Sequence, residues 1–352
     1  MKLNEYIHYD GLGLAQLIEK KEVQPIELLE LALQRSDQVN PKLNAIIIPM
    51  HEYAKNRAKQ QLTGAFAGVP FLVKDLFQEY AGIPTSYGCN ALKSRQYTPE
   101  TNAEIVNRWE KAGIVTFGRT NTPEFGIKGI TEPDAWGSCS NPWHLKHNSG
   151  GSSGGSASAV AAGIVPMAGA GDGGGSIRIP ASYCGLFGLK PSRGRTPWGP
   201  QMSEGMHGAV IQHVLTKSVR DSAAMLDATH GFENSSLFKI EKPERPFLEN
   251  LIRPPQQLKI AFNTQSPIGT KVSKDAVAAV KHTAELLESL GHIVVEDTPK
   301  IDGMSLAKDF ITTWFSQFSY MLHQIKQMSG ATDDEFELDS LALAAFGAKT
   351  TA

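Results

Sequence analysis

Strand-like and helix-like segments alternate along most of this chain, and this alternation limits the fold more than any other feature. Short apolar runs at residues 68–73 and 114–117 are typical of buried strands, and between them residues 101–112 show helical periodicity that ends at Gly113. The order strand, helix, strand returns at residues 258–262, 275–290 and 293–295. Alternating strands and helices predict an α/β fold with a largely parallel or mixed sheet.

The N-terminal region predicts mainly helices. Gln24 and Pro25 are typical of a helix start, because proline fits the first helical position. Residues 43–48 form a β-branched run that predicts a short strand, and residues 51–61 predict a polar helix. We therefore expect residues 1–65 to form a helical segment that packs on the core.

Composition and charge exclude several classes of protein. The chain has 352 residues, 34 basic and 36 acidic side chains, a net charge of −2 and 41% hydrophobic residues, which is typical of a globular protein. The balanced charge disfavours nucleic acid as a partner, and no apolar run of about 18 residues predicts a membrane span. Residues 1–13 lack the apolar core of a signal peptide. Cys89, Cys139 and Cys184 fit neither a disulfide framework nor a zinc site, so we expect a cytoplasmic protein.

Glycine is concentrated in one segment. Ten of the 27 residues from Gly150 to Ser176 are glycine, in two clusters separated by the alanine-rich residues 157–167, whose first part predicts a helix. A flexible Gly/Ser linker is the simplest interpretation. Glycine-rich backbone can also approach a ligand closely and point successive N–H groups at one oxygen. The segment is therefore the first place to look for a functional site.

Two short motifs occur in this segment. Gly169, Gly171 and Gly174 match a dinucleotide-binding fingerprint, but the proline-interrupted, basic stretch that follows disfavours that interpretation. Residues 150–154 match the Gly-x-Ser-x-Gly nucleophile elbow of α/β-hydrolases, which needs a strand directly before it. Residues 141–149 are a poor strand by residue type, although His230 or His292 leaves a histidine partner available.

Three segments in order resemble the amidase signature family. They are residues 68–75 (Gly-Val-Pro-Phe-Leu-Val-Lys-Asp), 150–156 (Gly-Gly-Ser-Ser-Gly-Gly-Ser) and 172–180 (Asp-Gly-Gly-Gly-Ser-Ile-Arg-Ile-Pro). Residues 131–137 are most similar to the branch of bacterial amidases that hydrolyses the 6-aminohexanoate cyclic dimer. The resemblance implies one large α/β domain, with a mixed central sheet covered by helices on both faces. It also implies a catalytic core at residues 66–230 and a strand-helix-strand continuation at residues 231–352.

The resemblance further implies a Ser–cisSer–Lys triad. Ser176 would be the nucleophile, Ser152 the bridging serine in a cis peptide, and Lys74 the base. A serine hydroxyl is a poor nucleophile until a base accepts its proton. Lysine has an ordinary pKa of about 10.4, and burial lowers it because the charged form is disfavoured away from water. Lys74 follows an apolar run, so its burial is expected.

The glycines before Ser176 are the expected oxyanion hole. The amides of Gly173, Gly174 and Gly175 would stabilise a tetrahedral intermediate, because glycine leaves room for the carbonyl oxygen. A tight turn without a ligand is the alternative interpretation.

Four further residues are expected to support this loop or the substrate pocket. Asp172 and Arg178 flank the loop and are interpreted as an ion pair that holds its shape, or as two independent surface charges. Ser153 is expected to contact the bridging serine or the substrate, or to have a structural role. Glu124 is expected to line the pocket or to cap a helix.

These features predict an amidohydrolase that needs no metal or organic cofactor and acts on a small-molecule amide, whose identity the sequence leaves open. Two alternatives remain at this point, an amidase subunit of a tRNA-dependent amidotransferase and an inactive amidase-like binding protein. A homodimer is left open as well. Members of the family usually exceed 400 residues, so we expect a C-terminally truncated chain.

Overall fold

The computed structural model describes residues 1–350. Its α-helices are α1 (Leu3–Tyr6), α2 (Gly11–Glu19), α3 (Pro25–Leu43), α4 (His51–Ala58), α5 (Asn90–Ser94), α6 (Glu104–Lys111), α7 (Gly154–Ala161), α8 (Arg178–Cys184), α9 (Val219–Thr229), α10 (Phe247–Asn250), α11 (Lys274–Ser289), α12 (Gly303–Ser329) and α13 (Leu338–Gly347). Its strands are β1 (Ile46–Pro49), β2 (Pro70–Lys74), β3 (Val115–Thr120), β4 (Ser140–Asn141), β5 (His144–Asn148), β6 (Met167–Asp172), β7 (Phe187–Gly188), β8 (Ile211–Thr216), β9 (Lys259–Phe262) and β10 (Ile293–Glu296). Short 3₁₀ helices lie at Glu124–Gly126 and Asp333–Glu335.

Six strands form a mixed sheet in the order β1-β3-β2-β6-β8-β7. β3, β2 and β6 are parallel, whereas β1 is antiparallel to β3, and β8 is antiparallel to both β6 and β7. Every residue of β2, β3, β6 and β8 is buried. Continuous burial is typical of central strands covered on both faces. The prediction of an α/β fold around a mixed sheet is confirmed.

The chain divides into two compact units. The first comprises residues 1–248 and 322–342 and contains the six-stranded sheet. The second comprises residues 249–321 and 343–350. Within the second unit, β9 and β10 pair in parallel and α11 connects them, so the predicted strand–helix–strand order is confirmed. The functional division expected at residues 66 and 231 stays a prediction, because compactness does not assign a function to a unit.

The N-terminal helices begin where the residue types predict. Gln24 is the N-cap of α3, and its amide donates to the Glu27 side chain at 2.6 Å. This bond satisfies a backbone N–H at the helix start that has no acceptor within the helix. The strand predicted at residues 43–48 is shorter than expected. Asn44 ends the helix with a left-handed φ of 52°, so the strand begins only at Ile46.

Helix α7 lies so close to the end of β3 that its second residue has no room for a side chain. A Cβ on Gly155 would lie 2.3 Å from the Asn121 backbone nitrogen and 2.6 Å from the Ala45 carbonyl oxygen. We expect Gly155→Ala to lower the free energy of unfolding by about 1–3 kcal/mol, because backbone atoms must move apart. Urea denaturation measures this change. The control, Gly129→Ala, places its Cβ 3.7 Å from the Ile179 side chain and should change stability by about 0.5 kcal/mol at most. Equal stabilities of the two variants would contradict the expectation.

Candidate active site

Lys74 occupies the last position of β2 and is 2% exposed. Its Nζ donates a hydrogen bond to Ser152 Oγ at 2.6 Å. Burial lowers the pKa of Lys74 from 10.5 to about 7, although the Asp172 carboxylate acts in the opposite direction. A substantial fraction of this amine is therefore neutral near pH 7 and can accept a proton.

The backbone around Ser152 is shaped by glycine. The peptide bond between Gly151 and Ser152 is cis, as the resemblance implies. A Cβ on Gly151 would lie 2.7 Å from the Ile130 amide nitrogen. Gly150 has a φ of +77°, and a Cβ there would lie 2.9 Å from Pro180 Cα. Only glycine fits both positions without a backbone shift. This cluster is therefore a tightly packed turn, and the interpretation as a flexible linker is wrong.

One buried carboxylate organises the loop that contains Ser176. The side chain of Asp172, at the end of β6, accepts hydrogen bonds from the amides of Gly175 at 2.8 Å and Ile177 at 3.2 Å. The Arg178 guanidinium donates to both carboxylate oxygens at 2.9 Å. Burial raises the pKa of Asp172, but the bonds from Arg178 and the backbone outweigh it and hold the pKa below its ordinary value. These contacts favour the ion-pair interpretation over two independent surface charges.

A backbone hydrogen bond joins the two glycine-rich clusters. Ser176 is 9% exposed, and its carbonyl accepts from the Ser153 amide at 3.3 Å. Ser153 Oγ lies 3.3 Å from both the carbonyl oxygen and the amide nitrogen of Gly171. The segment of Ser152 and Ser153 is thereby connected to β6 and to the loop that follows it. Lys74 and this loop lie at the carboxyl ends of the neighbouring parallel strands β2 and β6, where α/β sheets commonly bind ligands.

The three glycines before Ser176 are not equivalent. The Gly175 amide already donates to Asp172. Gly175 also has a φ of +121°, which glycine adopts more easily than other residues. Gly173 is half-buried and Gly174 is exposed. Gly175 therefore shapes the loop and its amide is already bonded, whereas Gly173 and Gly174 are the more accessible of the three residues.

Glu124 lies just after β3 and is 1% exposed. Its carboxylate accepts the amide of Glu337, directly before α13, at 3.0 Å. Burial raises the pKa of Glu124 to about 7. A Cβ on the neighbouring Gly126 would lie 3.1 Å from Ser152 Oγ. These contacts favour the capping interpretation for Glu124, while Gly126 is the residue of this turn that approaches Ser152.

Several buried polar side chains beside Lys74 were not expected from the sequence. Asp75 accepts the Ser86 amide at 3.0 Å and lies 3.9 Å from the Arg119 guanidinium. Gln78 Oε1 accepts the Lys74 amide at 2.7 Å. Of these residues only Asp75 belongs to a recognisable motif. Gln78 follows Lys74 by four positions, whereas Ser86 and Arg119 come from more distant parts of the chain, and their residue types alone give no signal.

The dinucleotide-binding interpretation is wrong for this segment. Gly169 and Gly171 lie inside β6, and the next helix, α8, begins only at Arg178. The fingerprint instead requires its glycines in a tight turn that opens directly into a helix.

The segment before Ser152 also differs from expectation. Residues 144–148 form β5, because they pair with β4 through a tight turn in which Asn141 Oδ1 accepts the Trp143 amide at 3.0 Å. The expectation of a poor strand is therefore wrong. The partner of Ser152 Oγ is nonetheless the Lys74 amine, whereas a nucleophile elbow pairs its serine with histidine.

Residues 27–347 match the Amidase family. This chain belongs to the amidase family. A 6-aminohexanoate-cyclic-dimer hydrolase of Pseudomonas sp. (strain NK87) is 39% identical over 307 residues, which cover 86% of this chain and 62% of that protein. A lipoamidase of Enterococcus faecalis is 37% identical over 310 residues, which cover 88% of this chain and 40% of that protein. This member of the family therefore spans less than two thirds of the length of these relatives.

Solved structures of the amidase family share the fold. A 6-aminohexanoate cyclic dimer hydrolase complexed with substrate matches with a TM-score of 0.94 at 35% identity, over 98% of this chain and 73% of that chain. A bacterial aryl acylamidase matches with a TM-score of 0.88 at 25% identity, over 97% of this chain and 73% of that chain. The resemblance to the amidase signature family, and within it to cyclic-dimer hydrolases, is confirmed.

Among the helices of residues 1–350, none combines the length and the hydropathy that a membrane span requires. The same residues contain no group of three or more His, Cys, Asp or Glu side chains arranged to hold a metal ion.

Proposed function

We propose that this protein hydrolyses carboxylic amides through an acyl-enzyme formed on Ser176. The observation that carries the proposal is the 2.6 Å hydrogen bond between the buried Lys74 amine and Ser152 Oγ. A lysine held near neutrality by burial is a base, and a hydroxyl bonded to it can relay a proton. Membership in the amidase family supports the same chemistry.

The proposed reaction proceeds in two steps. In acylation, Ser176 Oγ attacks the carbonyl carbon, its proton passes to Ser152 Oγ, and the Ser152 proton passes to Lys74 Nζ. The carbon–nitrogen bond then breaks, and the leaving amine takes a proton back along the same path. In deacylation, water attacks the ester through the same relay and releases the carboxylic acid. Every side chain returns to its starting protonation state, so water is the only co-reactant.

The proposed oxyanion hole consists of backbone amides. Those of Gly173 and Gly174, with that of Ser176, would donate to the negative oxygen of each tetrahedral intermediate. Loss of one such donor typically costs about 10²–10³-fold in rate. Asp172 would preserve this geometry, because its carboxylate is held by Arg178 and by the loop amides.

The substrate class that we propose is an amide of an unbranched ω-amino acid, cyclic or linear. The relative with 39% identity and the structure with a TM-score of 0.94 are both 6-aminohexanoate cyclic dimer hydrolases. A panel that contains the cyclic dimer, a linear 6-aminohexanoate oligomer, lipoamide and an anilide tests this choice. The highest kcat/KM on either 6-aminohexanoate compound is expected, and the highest value on the anilide would contradict it.

Covalent labelling tests the proposed nucleophile. A fluorophosphonate probe is expected to modify the wild-type chain once, and peptide mapping should place the label on Ser176. A label on another serine, or no label while amide hydrolysis is measurable, would overturn the assignment.

The pH dependence of hydrolysis tests the proposed base. Because neutral Lys74 is the active form and its pKa is lowered to about 7, kcat/KM should rise with pH and level off above about pH 7–8. Below the inflection the logarithm of kcat/KM should increase with a slope near one, since one proton is lost. Initial rates between pH 5 and 9 measure the profile. A value of kcat/KM that still rises with a slope near one at pH 9 would show that Lys74 keeps its ordinary pKa of about 10 and is not tuned by burial.

We propose the cytoplasm as the compartment. Cys89, Cys139 and Cys184 are buried free thiols, and unpaired cysteines are typical of a reducing environment. Fractionation of the native host, with the protein in the cytoplasmic fraction, is the expected result.

A further inference from the structure

Two buried carboxamides connect the end of β2 with β8. Gln78 and Gln212 are 0% and 2% exposed. The Lys74 amide donates to Gln78 Oε1 at 2.7 Å, and Gln78 Nε2 donates to Gln212 Oε1 at 3.0 Å. Gln212 lies in β8 directly opposite Gly171 of β6. This pair, which we name the Gln78–Gln212 bridge, therefore crosses β6 just before the loop of Ser176.

The partners determine how both carboxamides are oriented. A backbone amide can only donate, so the Lys74 amide requires the oxygen of Gln78. The Gln78 nitrogen then requires the oxygen of Gln212, and the Gln212 nitrogen is left to donate to the Phe77 carbonyl at 3.5 Å. Every hydrogen-bond donor in the bridge therefore meets an acceptor, in the order Lys74 amide, Gln78, Gln212 and Phe77 carbonyl. No group of the two buried carboxamides is left unpaired.

Two glycines of β6 make room for the bridge. A Cβ on Gly169 would lie 2.3 Å from Gln78 Oε1, and a Cβ on Gly171 would lie 3.1 Å from Gln212 Oε1. Neither glycine has a positive φ, so the backbone conformation does not require glycine at these positions. Glycine is required instead because the two carboxamides approach the backbone closely at these positions. Gly169 and Gly171, which match the start of a dinucleotide-binding fingerprint, thus leave room for two buried glutamine side chains in this fold.

We propose that the Gln78–Gln212 bridge positions Lys74 by fixing its backbone relative to the loop that carries Ser176. The ladder between β2 and β6 is short, with Leu72 paired to Ala168. Lys74 lies two residues beyond Leu72, and its amide donates to Gln78 of the bridge. The bridge therefore connects β2, which carries the proposed base, with β8 across β6, which leads into the loop of Ser176.

The inference rests on the proposed function of Lys74 as the base. Its Nζ must stay within hydrogen-bonding distance of Ser152 Oγ for the relay to work. A displacement of about 1 Å in such an arrangement can cost about 10²-fold in rate. Gln78 and Gln212 are thus positioning residues, since they act on the reacting groups only through the Lys74 backbone.

Methionine variants with a matched control test the bridge. Gln78→Met and Gln212→Met keep the length of the side chain and remove its hydrogen bonds. The control is Thr196→Val, because Thr196 Oγ1 donates to the Gln212 carbonyl at 2.7 Å and is also buried, yet it lies outside the bridge. Stopped-time labelling of Ser176 by a fluorophosphonate gives the inactivation rate constant, kinact, and the probe affinity, KI, for each folded variant.

We expect each glutamine variant to lower kinact by about tenfold or more with KI unchanged. The double variant should be no slower than the worse single variant, because either substitution already breaks the bridge. Thr196→Val should stay within about twofold of the wild type. Lower melting temperatures with unchanged kinact would mean that the bridge is only structural and would overturn the proposal.

Hydrogen exchange of the Lys74 amide separates this proposal from the proposed function. Residue-resolved exchange should be at least about tenfold faster in Gln78→Met than in Thr196→Val, because the amide loses its acceptor. If the wild type shows the protected amide but no label on Ser176, the proposed function fails. If the wild type is labelled but both glutamine variants keep its kinact, the bridge proposal fails. Unchanged exchange of the Lys74 amide in Gln78→Met would overturn the bridge whatever the labelling shows.

Discussion

Ser176→Ala is expected to abolish fluorophosphonate labelling and to lower kcat for amide hydrolysis by about 10⁴-fold or more. Alanine leaves no oxygen at this position to form the acyl-enzyme, and binding by the oxyanion amides alone preserves only residual catalysis. Steady-state hydrolysis of the preferred amide, with intact-mass analysis of the labelled protein, measures both effects.

The matched control for this change is Ser158→Ala. Ser158 is buried in α7, and its Oγ donates to the Ser140 carbonyl at 2.8 Å, so the variant also removes one buried hydroxyl. It should retain labelling and a kcat within about threefold of the wild type. Loss of a neutral hydrogen bond lowers the free energy of unfolding by about 1 kcal/mol and removes no reacting group. Equal losses in the two variants would point to a folding defect instead of chemistry.

Lys74→Met is expected to lower kcat/KM by about 10²–10⁴-fold, the usual contribution of a general base. Methionine preserves the buried apolar stem and removes the amine, so Ser152 loses the partner at 2.6 Å. The remaining activity should also lose the inflection near pH 7, because the group that titrates there is gone. Rates measured between pH 5 and 9 test both statements together.

Lys217→Met is the control for the lysine change. Burial lowers the pKa of Lys217 to about 8, and its Nζ donates to the Ile7 carbonyl at 2.8 Å. It is thus a second tuned lysine with a purely structural contact. Its loss should affect stability and leave the pH profile of hydrolysis unchanged. Retention of the pH 7 inflection in Lys74→Met would assign that inflection to another group.

Local residue patterns predicted much of the fold. The helix start at Gln24, the buried strand that ends at Lys74 and the strand–helix–strand order of the second unit all follow from periodicity and capping, which act within a few residues. Element ends were less predictable. The left-handed conformation of Asn44 shifts the start of β1 to Ile46. Residues 144–148 form a strand because they pair with β4, although their residue types disfavour one.

The candidate site was predictable only where one motif carried several of its residues. Asp172 and Ser176 are four positions apart, and the glycines between them indicate a close approach of backbone to ligand. For Glu124, by contrast, the sequence leaves a pocket or a cap open, and the amide that its side chain accepts belongs to Glu337, 213 positions away. Such a contact has no local signature, because neither residue type requires the other.

The sequence by itself determined the α/β class and the glycine-rich turns, since these depend on local periodicity and backbone freedom, while its resemblance to the amidase signature family supplied the residues of the proposed triad. Only the tertiary structure decided that Lys74 is buried enough to have a pKa of about 7 and that its Nζ meets Ser152, 78 positions along the chain. It alone brought Gln78 and Gln212 together across 134 positions. Burial and long-range hydrogen bonds arise when distant segments pack, and the packing of the sheet therefore decides which of the predicted residues can react.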